Sequence, residues 1–355
     1  DVYKRQSLVW PCFFIFSFDE KMTRSLLILF FALLLGCQDD SEQTLKPYSL
    51  TGQALGTTWT VKVLSYQPID ESKLRKDIAA KIEEAERILS HWRPDATLYQ
   101  LNASLSSEPI PIPPSLHKLL KHAKWTYKQT GGAFDPTIAP LVNLWGFGPV
   151  STNRLSIPQQ KEIDETMQVT GMNQLELLNG FMVRKKHPAV QIDLSASAKG
   201  EIIDQVCEML DRRELGNYLV EIGGEIRASG NGKSGEGWTI GLEDGSEGKS
   251  HELPTVNLLN YSVATSGTYR QTKPNPDSVK PASHLIDPRT GRPVEHKLIA
   301  VNVLAPTARD ADALATALMI LGPEEGVLKA EEMDLVARFC SREGNQTQRS
   351  HTTTW

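Results

Sequence analysis

Asp312 and Thr316 stand four residues apart in the run Asp310 to Leu318, so on a helix they share a face and offer two hard oxygens to one cation. An ordinary helix start, with Thr316 bonded back to its own helix, accounts for the same two residues. Asp193-Leu194-Ser195-Ala196-Ser197-Ala198-Lys199-Gly200 reads as a strand end running into a helix start. Small residues there leave N–H groups and a positive dipole open to an anion, and Lys199 adds a point charge. Ser197 as a plain N-cap is the alternative. His284, just ahead of the turn-forming Asp287-Pro288-Arg289-Thr290-Gly291-Arg292-Pro293, has the side chain best suited to proton transfer near neutrality, or is a structural histidine. Thr130 to Thr137 and Pro140 to Gly148 pair glycines with Phe134, Trp145 and Phe147, flat apolar surface for a ring system or for a core.

These groups need a scaffold. Thr58 to Leu64 alternates like a strand, and Leu74, Ile78, Ile82, Ala85 and Leu89 recur at helical spacing behind a possible Asp70 cap. A strand followed by an amphipathic helix is therefore expected to open the fold. Ser115 to Lys128 reads as a helix stopped by Gly131-Gly132, and Pro158 suits the first turn of another. Asn179-Gly180 marks a hairpin, and Ala198 to Leu210 is helical. Strands are expected at Tyr218 to Ile222, Trp238 to Leu242, Tyr261 to Thr265 and Leu298 to Leu304, and helices at Asp310 to Leu321 and Pro323 to Glu332. The mixture lacks regular alternation and repeats, which predicts an α+β domain over residues 48–344. The polar tail, residues 345–355, is expected to add neither strand nor helix and is set apart as a truncated end.

The chain has 355 residues, 40% of them hydrophobic, enough for a sizeable core. A net charge of -5, from 38 basic and 43 acidic residues, gives no electrostatic reason to expect a nucleic-acid partner. Four cysteines are too scattered for a disulfide framework or zinc site, and Cys207 and Cys340 read as small buried apolar residues. Met22, Arg24, an apolar run from Leu26 to Leu35, and Gly36-Cys37 read as an export signal over 22–36, since a spanning helix needs about 20 apolar residues. Leu34-Leu35-Gly36-Cys37 resembles the bacterial lipobox, which implies lipidation at Cys37 and a periplasmic protein held to a membrane by lipid. Residues 37–47 then form a tether, and residues 1–21 read as a non-native extension.

In their order these segments resemble the ApbE family of FAD:protein FMN transferases. The resemblance runs from about Gly52 to about Ala330 and includes Ala54 to Trp59, Trp92 to Leu98, Glu221 to Ile226 and Ala264 to Gly267. It implies a single T-fold-related domain with mixed and antiparallel sheets flanked by helices. It implies FAD as substrate, contacted by Leu55, Ala133, Phe134, Asp135, Asp193, Lys199, Leu285 and Ile286, and Mg²⁺ held by Asp312, Thr316 and the Ala196 carbonyl. With these in place His284 would be the catalytic base. The implied acceptors are Ser or Thr hydroxyls on flavoprotein subunits of sodium-pumping quinone reductase or RNF-type complexes, with AMP released. Leu55 stands where the family commonly has Met, and Thr268 where it often has Asp. The other histidines, His91, His117, His122, His187, His251, His296 and His351, receive no role. The same residues would also serve a metal-dependent FAD pyrophosphatase, or a flavin-binding lipoprotein without catalysis.

Overall fold

A computed structural model describes residues 44–150, 157–245, 253–270, 272–273, 282–344 and 346–355. The signal, Cys37, the residues before them and most of the tether lie outside the described residues.

Eight strands form one antiparallel sheet in which spatial order equals chain order: β1 (Lys46–Ala54), β2 (Thr57–Ser65), β3 (Tyr218–Ile222), β4 (Glu225–Ser229), β5 (Ser262–Gly267), β6 (Leu298–Ala305), β7 (Val336–Glu343) and β8 (Gln346–His351). The opening unit is thus a hairpin and not the lone strand expected, and β1 begins inside the expected tether. Leu50 of β1 is wholly buried, so burial of that face carries the strand. The tail also departs from expectation, because Gln346–His351 pairs with β7 from Glu343↔Gln346 to Arg338↔His351. Its side chains are mostly exposed, as befits an edge strand, so no apolar alternation announces it.

One face of the sheet carries α1 (Glu71–Leu89), α3 (Ala198–Asp211) and α4 (Ala308–Glu332), and α2 (Pro114–Gln129) joins the same core beside α4. Asp70 caps α1 by accepting from Lys73 N at 3.0 Å, as its position predicts. The predicted apolar stripe of α1 meets Val61 and Val63 of β2 and Ile203 of α3 in the larger core. Leu314 and Leu318 of α4 meet Val301 and Val303 of β6 and Phe339 of β7 in a second core. The expected break between two helices at Gly322-Pro323 is present as a kink, with Gly322 at φ 85°. The opposite face is covered by a small hairpin, Trp238–Gly241 with Thr255–Leu258. Asn179-Gly180 lies in the turn between Leu175–Leu178 and Met182–Lys185, and Pro158 falls one residue ahead of the N-cap, outside the first helical turn, of the Gln160–Met167 helix. Cys207 and Cys340 are buried thiols, as expected. The result is the α+β class anticipated.

Candidate active site

Two-residue turns and helix starts converge at one end of the sheet. The β1–β2 turn is Leu55-Gly56, both at positive φ (55° and 70°), as the right-handed strand twist demands. The β3–β4 turn is Gly223-Gly224, also both positive. Between them comes α3, whose Gly200 runs so close to the start of α4 that a Cβ there would sit 2.3 Å from the Ala308 carbonyl oxygen. That contact brings Gly200 N to 3.1 Å from Asp312 Oδ2, where it donates. Thr316, one turn further, lies 2.9 Å from Ser266 Oγ of β5, hydroxyl to hydroxyl.

These elements enclose a cavity of about 1090 Å³, and every described residue expected at the site lines it: Leu55, Ala133, Phe134, Asp135, Asp193, Ala196, Lys199, His284, Leu285, Ile286, Asp312 and Thr316. Asp135 is held by Thr137, whose amide and hydroxyl both donate to Oδ1 at 2.8 and 2.6 Å. Burial raises its pKa, and those two bonds pull it partly back. Asp193 accepts from Ser195 N at 2.7 Å, which folds the chain into the first turn of α3. Ser197 takes the N-cap position of α3, but its hydroxyl makes no capping bond, so the plain-cap alternative fails. The Asp287-to-Pro293 turn is a hairpin pairing Ile286 with Pro293, which fixes Leu285 and Ile286 against the cavity. His284 stands edge-on to Phe147 with ring centroids 6.4 Å apart, and Phe147 carries the Lys273 ammonium 5.3 Å from its ring centroid.

The charged end of the cavity is the most unusual. Asp312 is almost wholly buried, and burial raises its pKa against the opposing pull of the Lys199 charge. Lys199 Nζ lies 2.9 Å from Glu225 Oε1. Burial works to lower the Lys199 pKa, but the Asp312 and Glu225 carboxylates outweigh it and keep the ammonium charged. Burial pushes Glu225 up to about 7, and its Oε2 has no hydrogen-bond partner among the described residues. Two buried carboxylates therefore share one lysine.

Several residues of the site carried no role in the sequence reading. Glu225 stood inside a recognised segment and Arg270 just past one, and a charged residue directly after a Gly-Gly turn between apolar strands is the signal that singles out Glu225. Arg270 donates to Gly223 O at 3.1 Å and reaches Glu243 at 3.2 Å, both at the cavity wall. His91, given no role, lines the cavity with Nδ1 3.6 Å from Asp193 Oδ1. His122 lies outside the cavity lining but pairs with Asp310 at 2.6 Å, bracing the start of α4. Among the described residues no cluster of three or more His, Cys, Asp or Glu could hold a metal, so any cation site here draws on hydroxyl and carbonyl oxygens as well.

The chain matches the ApbE family over residues 55–339. It is 37% identical over 300 residues to a Vibrio cholerae protein named FAD:protein FMN transferase, covering 84% of this chain and 87% of the relative. An Escherichia coli K12 protein of the same name is 30% identical over 335 residues, covering 92% and 94%. The solved flavin transferase ApbE from Vibrio cholerae superposes with a TM-score of 0.80 at 33% identity, over 88% of this chain and 98% of that one. The apo flavinyl transferase ApbE from Pseudomonas stutzeri gives 0.80 at 33%, over 87% and 95%. On matched length, identity and fold together, the chain belongs to the ApbE family.

Proposed function

We propose that this chain transfers the FMN part of FAD to a Ser or Thr hydroxyl of an acceptor flavoprotein, releasing AMP. The observation that carries the reading is the convergence of apolar and phosphate-directed residues on one cavity: Leu55, Phe134, Leu285 and Ile286 with Lys199, Asp312 and Thr316. At about 1090 Å³ it lies just above the roughly 300–1,000 Å³ usual for small-ligand sites, which suits a ligand as large as a dinucleotide. The names borne by the relatives from Vibrio cholerae and Escherichia coli agree with the reading.

The residues fit a hard divalent cation. Among the described residues Asp312 Oδ2 takes one amide bond, from Gly200, and Glu225 Oε2 has no partner, which leaves an excess of negative charge; Thr316 supplies a hydroxyl on the same helix face and Ala196 a carbonyl at the cavity wall. Mg²⁺ bound there would neutralise pyrophosphate charge as a Lewis acid. The chain's own part is alignment and charge. Leu55, Phe134, Leu285 and Ile286 offer apolar surface to the isoalloxazine. His284 accepts the proton of the attacking hydroxyl as its oxygen bonds to the phosphorus next to riboflavin. The bond from that phosphorus to the AMP oxygen breaks, and Lys199 with the start of α3 meets the charge gathering on AMP.

FAD pyrophosphatase activity, with water replacing the hydroxyl, uses the same groups, and a flavin carrier would use the cavity without Asp312. Acceptors of the sodium-pumping quinone reductase or RNF type, and an exported, lipid-anchored location through Leu34-Leu35-Gly36-Cys37, belong to the same proposal. The test is to incubate the protein with FAD, Mg²⁺ and an acceptor domain and weigh the acceptor. An FMN-sized gain is expected. Free FMN and AMP with an unmodified acceptor would mean hydrolysis, and unchanged FAD would mean a carrier.

A further inference from the structure

We infer that Glu225 is a positioning residue for transfer, acting through Lys199 and with the Gly223-Gly224 turn fixing where the lysine ammonium meets the phosphates. The inference rests on the function proposed above and assigns a role to a residue outside the set carried over from the family. Lysine on its own is a poor positioning group, because four rotatable bonds let its ammonium wander and ordering them costs entropy. Here one contact restrains that freedom: Glu225 Oε1 holds Nζ at 2.9 Å, and Glu225 directly follows the Gly223-Gly224 turn, which sets where its carboxylate stands. Gly223 can occupy the turn because its φ of 59° suits glycine, and Arg270 ties the turn down through Gly223 O.

Glu225 is an expensive way to join β4 to α3. Its side chain is only 3% exposed, it lines the cavity, and Oε2 is left without a partner among the described residues. Buried ion pairs rarely out-stabilise apolar packing of the same volume, so stability alone does not account for a carboxylate here. Among the described residues its ion-pair partner is Lys199, which faces the same cavity.

The experiment compares wild type, E225Q, K199M and the double variant, in FMN transfer with Mg²⁺, FAD affinity and melting temperature. E225Q keeps the shape and removes the charge. It is expected to lower kcat about 10- to 100-fold, leave FAD affinity within about threefold and melt no lower than wild type. In the K199M background the same change is expected to alter the residual rate less than twofold, because there is no ammonium left to place. Wild-type kcat in E225Q, or an effect that multiplies with that of K199M, would overturn the inference. If E225Q melts well below wild type, E225D replaces it, keeping the charge but withdrawing it by one methylene, and the same dependence on Lys199 decides. A wild-type protein that fails to transfer FMN would overturn the proposed function itself, whereas wild-type transfer with an unaffected E225Q overturns only the role given to Glu225.

Discussion

Gly200 donates its amide to Asp312 at 3.1 Å because its missing side chain lets α3 and α4 touch backbone to backbone. The glycine thus sets both the spacing of the two helices and one of the two oxygens of Asp312. Gly200→Ala should force a Cβ into the Ala308 carbonyl and part the helices. The expected cost is about 1–3 kcal/mol of stability, with FMN transfer falling by more than tenfold. Chemical denaturation and transfer rates check this. An alanine variant of full stability and activity would mean that the helices have slack the structure does not show.

Leu55 occupies the first turn position of the β1–β2 hairpin at φ 55°, where a leucine side chain is strained. It also lines the cavity. Leu55→Asn should relieve the backbone by about 1 kcal/mol while removing apolar surface from the flavin. A rise in melting temperature together with severalfold weaker FAD binding is expected. Lower stability with unchanged affinity would show that Leu55 serves the fold and not the ligand.

His284 meets the Phe147 ring edge-on and faces the cavity. His284→Ala should cut transfer by roughly 10²-fold or more, the usual scale for a lost general base, and leave FAD affinity within about threefold. Stopped-flow FAD binding with single-turnover transfer separates the two. Weak FAD binding with normal turnover of the FAD that does bind would make it a structural residue.

Glu225 gives the metal-free protein a pH signature. Burial raises it from 4.5 to about 7, Lys199 and Arg270 oppose this, and Asp312 adds to it. Because its folded pKa lies above the unfolded one, its contribution to stability is complete below about pH 4.5 and is lost as pH rises through about 7. Lys199 stays charged across that window. The stability of E225Q relative to wild type should therefore climb between pH 5 and 8 in chelator-treated protein. A difference that stays flat with pH would contradict this account of the buried carboxylate.

Much of this was legible because it is local. The i, i+4 spacing of Asp312 and Thr316 needs only a helix, Asp70 needs only a cap, and the β3 strand from Tyr218 to Ile222 follows from an apolar run ended by two glycines. What escaped depends on partners distant in the chain. β8 is a polar edge strand held by its ladder to β7 and by Thr352, whose hydroxyl donates to Leu335 O at 2.7 Å. The Lys199–Glu225 pair joins a helix start to a hairpin 26 residues away, and nothing in either segment names the other. Gly200 looked like part of an anion-binding helix start, but its dominant role is steric, against a helix that begins more than 100 residues later.

The central claim is that the FAD pyrophosphate lies beside a cation held by Asp312 and Thr316. A crystal structure with FAD and Mn²⁺, phased for the anomalous signal of the metal, tests it most directly. The account predicts a metal peak within bonding distance of Asp312, Thr316 and the Ala196 carbonyl, touching the pyrophosphate and lost in Asp312→Ala. A pyrophosphate bound elsewhere, or a peak that ignores these residues, would contradict it.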